Sequence, residues 1–187
     1  MSKAVLISIQ PKWCNLIANG KKTIEVRKSR PKLETPFKCY IYCTKEKNVN
    51  EILWTCGVIG KFSDKANGRI IGEFICDTFV TDRTFGHDPL FNGAACMSEI
   101  DASVYSCQSP IYGWHISDLK IYDKPKELRE FRVPCAEYER DNPRCYNCGY
   151  YYSESNEAIG FYDECCCEGL KYLEKPPQSW CYVEEDT

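Results

Sequence analysis

Lys22, Glu25 and Arg27 stand close together in Gly20-Lys21-Lys22-Thr23-Ile24-Glu25-Val26-Arg27-Lys28, and Ile24 and Val26 between them give the stretch the period of a β-strand. Ile24 and Val26 then share one face, while Thr23, Glu25 and Arg27 line the other as a candidate cleft floor. An amine, a carboxylate and a guanidinium on one floor can hold an anion, accept from donors or move a proton. A second charge on a core-like strand is Glu73, in Gly68-Arg69-Ile70-Ile71-Gly72-Glu73-Phe74. Alternation puts it with Ile71 and Ile75, where a carboxylate is costly to desolvate unless a cation or several donors meet it. Lys22 is the expected partner. The plainer reading makes Glu25 and Arg27 a solvated cross-strand pair and leaves Glu73 in water at a strand end; alternation alone does not choose between the two.

The elements that would position these groups follow from the pattern. Val5 to Ile9 reads as a first strand ended by Pro11, which opens a short helix through Leu16 and Ile17 that Gly20 terminates. Thr23 to Lys28 is the second strand, and Phe37 to Thr44 the third, with Phe37, Cys39, Ile41 and Cys43 on one face. A polar, weakly helical segment runs through Trp54, and Val58 to Phe62 reads as a short strand. Asn67-Gly68 makes a turn before a long strand from Arg69 to Val80. Residues 82–112 lack clean periodicity and read as an irregular excursion with a helical turn near Met97. Trp114 to Ile121 returns to a strand, Pro125 starts a short helix from Lys126 to Phe131, and Trp180 to Glu184 closes the chain. Several strands with few helices predict an α+β domain built around a small β-barrel with short flanking helices.

The 187 residues suffice for one well-buried domain, here taken as residues 1–187, with the excursion at 82–112 and a cysteine-rich insert at 135–170. The apolar run within Met1 to Ile9 is far too short to span a bilayer and no small-residue cleavage site follows it, which predicts a cytoplasmic protein. A net charge of −3 argues against a general polyanion binder, yet the charge is uneven. Residues 1–40 hold nine Lys or Arg against two acids, whereas residues 137–187 hold twelve acids against four bases. A basic patch can meet phosphate while an acidic end limits indiscriminate binding.

In a reducing compartment the fourteen cysteines stay free, as core residues or metal ligands. Cys145-x2-Cys148 followed by Cys165-Cys166-Cys167 resembles the two halves of a zinc ribbon. Adjacent cysteines diverge in direction, so Cys165 with Cys167 is one pairing, and Cys181 or Cys135 can replace either. Four thiolates leave no open position for water, so such a zinc is structural. His87 and His115 are the only histidines; neither has a spacing that makes a triad, and no phosphate-cradling glycine loop occurs.

Ile7-Ser8-Ile9-Gln10-Pro11-Lys12-Trp13, the glycine–lysine–threonine stretch from Gly20 to Lys28, Gly72-Glu73-Phe74, Gly113-Trp114-His115-Ile116-Ser117-Asp118-Leu119 and Pro177-Gln178-Ser179-Trp180 together resemble the ASCH domain family of the PUA-like superfamily. The arrangement also looks like the subgroup common in phages and prophages. The resemblance implies a small mixed-sheet pseudobarrel, a cleft floored by the signature, and binding of RNA or modified nucleotides. Lys22, Thr23, Glu25, Arg27 and Glu73 would line that cleft, and Trp114, Trp180 or Trp13 would offer a face to a base. Some ASCH proteins are similar to amidohydrolases that deacylate cytidine with a lysine, a threonine and a glutamate. Lys22 and Glu73 stand where that lysine and glutamate would, but Glu25 holds the place of the threonine. An enzyme of this kind would have to work through Lys22, Glu73 and Glu25, with a carboxylate as general base.

Overall fold

The computed structural model describes residues 3–45, 66–82, 87–134, 138–139, 144–145, 150–151 and 170–184, the last three pairs before 170 as backbone alone. β1 (Lys3–Ile9) is buried at every residue after Lys3, the mark of a central strand covered on both faces. It pairs in parallel with β3 (Phe37–Cys43) and antiparallel with β13 (Trp180–Glu184), and β3 continues antiparallel to β4 (Ile70–Cys76). With β7 (Ser117–Lys126) beyond β4, and β8 (Arg132–Pro134) and β12 (Leu170–Tyr172) beyond β13, these strands make one seven-stranded sheet. A three-stranded sheet runs in the order β2 (Ile24–Arg27), β6 (Ile111–His115), β5 (Phe79–Asp82). β9 (Tyr138–Glu139), β10 (Arg144–Cys145) and β11 (Tyr150–Tyr151) form a third.

Alternation along β1 and β3 sends Val5, Ile7, Ile9, Cys39, Ile41 and Cys43 to one side of the large sheet and Ala4, Leu6, Tyr40 and Tyr42 to the other. The first side carries the main core, closed by Trp114 of the small sheet, which is 0% exposed. Burying such a side chain contributes roughly 2 to 3 kcal/mol. The second side is covered by Phe131 and Val183 with their neighbours. The outer face of the small sheet presents Ile24, Val26 and Ile111 to Phe91 and Ala95 of α2 (Pro89–Ala95). Gly113 makes that approach possible, because a Cβ there would lie 2.5 Å from Ile24 Cγ2 and 2.7 Å from the Phe91 ring.

α1 (Pro11–Ala18) begins at Pro11 and is ended by Gly20 at φ +68°, as its residues predict. The barrel expectation is corrected: among the described residues the sheets stay open and lie against one another instead of closing. The single long strand expected from Arg69 to Val80 is two, because the chain leaves the large sheet after Cys76 and enters the small one at Phe79. The irregular excursion holds two helices, α2 and α3 (Glu99–Ser106). Asp88 accepts from the backbone N–H of Leu90 and Phe91 and Ser98 from that of Asp101, capping both in place of long apolar periodicity. Pro125 and Lys126 still belong to β7, and the expected helix shrinks to a 3₁₀ turn, Leu128–Glu130. The segment through Trp54 and the strand expected at Val58 to Phe62 lie outside the described residues, as does most of the insert at 135–170. Among the described residues no helix is long and apolar enough to cross a membrane.

Candidate functional site

Gly20 turns the chain back on α1, and the N–H groups of Lys21 and Lys22 both bond to Leu16 O. The Thr23 N–H then bonds to Ala94 O at 3.0 Å, which seats Lys22 against the end of α2. There its ammonium donates to Ala95 O at 2.7 Å and stands 3.6 Å from Glu25 Oε2. A cation beside the last carbonyls of a helix is well placed electrostatically. Lys22 is 3% exposed and Glu25 5%. Burial pulls the Lys22 ammonium below its ordinary pKa, against a smaller opposing pull from Glu25.

Glu25 lies across from Trp114 in the β2–β6 ladder, so its side chain points between the two sheets. Arg27, two residues on, shares that side. Its Nη2 donates to Glu25 Oε1 at 3.0 Å and reaches the large sheet at Ser8 O, 2.6 Å away. Two atoms of this cluster are buried with no hydrogen-bond partner among the described residues, Glu25 Oε2 and Arg27 Nε.

These groups line a cavity of about 550 Å³, a usual size for a small-molecule site. Trp13 forms part of its wall, with Lys12 Nζ 4.4 Å and Lys22 Nζ 4.9 Å from its ring centroid. Opposite, Met97, Asp101, Val104 and Tyr105 come from α3 and the turn before it. Burial pushes the Tyr105 hydroxyl up in pKa, and the nearby Arg27 partly opposes this. Gln178 completes the rim beside the closing strand.

The structure brings Lys22, Glu25 and Arg27 together and leaves other expected site residues elsewhere. Glu73 faces Tyr40 in the β3–β4 ladder, on the second side of the large sheet, and accepts a hydrogen bond from Tyr122. Register shifts flank it in the β4–β7 pairing, so Ile71 packs with Phe74 in the main core and simple alternation fails. Lys22 is therefore not its partner. Thr23 is exposed just before β2 and enters only by its backbone. Trp114, buried at 0% exposure, has no face left for a ligand. Trp180 packs 5.9 Å from Trp114 and donates from Nε1 to Ser29 Oγ at 3.2 Å, away from the cavity lining. His115 bonds through Nδ1 to Asp77 Oδ1 at 2.6 Å, a wall residue as its position beside Trp114 predicts. Of the proposed zinc ligands, Cys145 has its backbone in β10, while Cys148, Cys165 and Cys167 lie outside the described residues. Among the described residues, no three His, Cys, Asp or Glu side chains gather as a metal site.

Sequence reasoning missed the wall from α3. Its signal was the Ser98-x-x-Asp101 cap followed by Val104 and Tyr105 at helical spacing from Met97.

Residues 7–75 match the ASCH domain family. Among solved structures the chain is similar to the ASCH protein of Zymomonas mobilis, at 16% identity over 97% of this chain and 88% of that one, with a TM-score of 0.49. It is also similar to a tyrosine-to-phenylalanine mutant of the Zymomonas mobilis protein, at 19% identity over 68% of this chain and 77% of the other, with a TM-score of 0.49. A serine-to-alanine mutant is similar at 15% identity over 97% and 89%, again with a TM-score of 0.49. No curated protein matches the chain.

Proposed function

We propose, from the ASCH domain that this chain carries over residues 7–75, that it binds RNA or a modified nucleotide in the cavity floored by Lys22, Glu25 and Arg27. ASCH domains have a PUA-like fold, one often associated with RNA binding. The observation that carries the reading is the union, in one cavity, of a buried ionic cluster with an aromatic wall at Trp13. Outside it Lys12, Lys21, Lys28 and Arg30 are exposed around the same stretch of chain, where a phosphate backbone can meet them. Fluorescence anisotropy with short single-stranded RNA tests this. The dissociation constant should rise by roughly tenfold or more between 50 and 200 mM salt. Failure to bind RNA and nucleotides at any salt removes the proposal.

A second reading, hydrolysis of an acylated nucleoside such as acylated cytidine, draws on the lowered pKa of Lys22 beside a carboxylate inside a cavity. With Glu73 on the other side of the sheet and Thr23 outside the cavity, the chemistry would have to use water, with Glu25 as base and Lys22 steadying the oxyanion. Cytidine release that disappears in Lys22→Ala supports it; no release removes it.

The cysteine spacing supports a structural zinc on Cys145, Cys148, Cys165 and Cys167, as part of the same proposal. About one zinc per chain is expected in protein purified without chelator, and elemental analysis decides it. A single-domain, cytoplasmic protein of the prophage subgroup completes the proposed picture.

A further inference from the structure

Every strong donor in the floor of the cavity is engaged by the protein itself. The Lys22 ammonium meets Ala95 O and Glu25, and Arg27 Nη2 meets Glu25 Oε1 and Ser8 O. What the described residues leave unmatched is one acceptor, Glu25 Oε2, and one donor, Arg27 Nε, on side chains two residues apart on the same side of β2. A buried carboxylate oxygen and a buried guanidinium N–H are each costly without a partner.

Their complement is an uncharged group that carries an N–H beside an acceptor. A phosphate does not fit, because it has no donor for Glu25 and would set its own charge against that carboxylate and Asp101, which also lines the cavity. Trp13 in the wall supplies an apolar plane for a flat ring.

Resting on the nucleotide reading above, we propose that the cavity takes the base and leaves the phosphate outside. Glu25 Oε2 accepts the N–H of a lactam or amidine edge, and Arg27 Nε donates to its neighbouring acceptor. The phosphate lies over the exposed lysines at the mouth, with Lys12 nearest the Trp13 ring.

Isothermal titration of the full chain with the four ribonucleosides, their 5′-monophosphates, ribose 5-phosphate and inorganic phosphate tests the assignment. At least one nucleoside should bind, with its affinity changing less than about twofold between 50 and 500 mM salt, since no counterion release accompanies an uncharged ligand. Neither ribose 5-phosphate nor phosphate should compete with it. Methylating that nucleoside's donor nitrogen, as in N4,N4-dimethylcytidine or 3-methyluridine, should weaken binding at least tenfold without altering the protein. Arg27→Lys, which keeps a charge but loses Nε, should weaken it similarly at an unchanged thermal midpoint. If monophosphates bind while nucleosides do not, or phosphate alone competes, or the methylated base binds as well as its parent, this inference fails and the nucleotide reading stands. If nothing in the panel and no RNA binds, both fail.

Discussion

Glu25 organises the site at the residue scale. It holds Lys22 at 3.6 Å and Arg27 at 3.0 Å in a space almost closed to water. Removing one member of a buried ion cluster strands the others, at a cost of about 3 to 5 kcal/mol. Glu25→Ala should therefore lower unfolding free energy by about 3 kcal/mol in a urea titration, with Lys22 and Arg27 left uncompensated. Glu25→Gln, which keeps an acceptor and the shape, should cost less. Equal, small losses in both would mean that water already reaches the cluster. The same residue shows what was legible in the sequence. Ile24 and Val26 packing on α2 while Glu25 and Arg27 face the cavity is what two-residue alternation predicts. Glu73 escaped the same logic because irregular pairing beside it broke the alternation.

Elements divide by how local their signals are. α1, β3 and β13 were readable because Pro11, Gly20 and an alternating apolar face declare themselves within a few residues. The break between β4 and β5 was not, since Phe74 and Phe79 both end in the same core and nothing in the run records the change of sheet. α2 and α3 were hidden for another reason. Leu90, Ile100 and Val104 are exposed, so the helices lack the apolar stripe by which a helix is usually found. Their caps do that work instead. Ser98→Ala removes the side-chain acceptor for the Asp101 N–H and should destabilise by about 1 kcal/mol. As α3 supplies Asp101, Val104 and Tyr105 to the cavity, the same change should weaken ligand binding severalfold, measured on protein that remains folded.

The buried thiols give the whole molecule a dependence on alkaline pH. Burial raises Cys76 from 9.0 to about 12 and Cys181 from 9.0 to about 11, and lifts Cys14 and Cys39 well above 9.0. An unfolded chain loses these protons near pH 9 while the folded one keeps them, so the stability they lend is intact below pH 9 and is lost progressively up to about pH 12. Lys22 works in the opposite direction, because its folded pKa lies below the unfolded 10.5 and stability therefore rises with pH up to that value. Four thiols outweigh one amine. The thermal midpoint should fall by roughly 5 °C or more between pH 8 and pH 10.5 under reducing conditions, followed by circular dichroism. A flat profile would mean that the thiols titrate as freely in the folded protein as out of it.

The cavity draws its floor and its roof from separate lengths of chain. Lys22, Glu25, Arg27 and Trp13 fall within residues 7–75, whereas Met97, Asp101, Val104 and Tyr105 fall beyond them. Grafting a different helix pair between β5 and β6 would hence recut the opening while the ionic base plate and the framework beneath it stayed as they are. Selectivity in this molecule can be exchanged as a cassette.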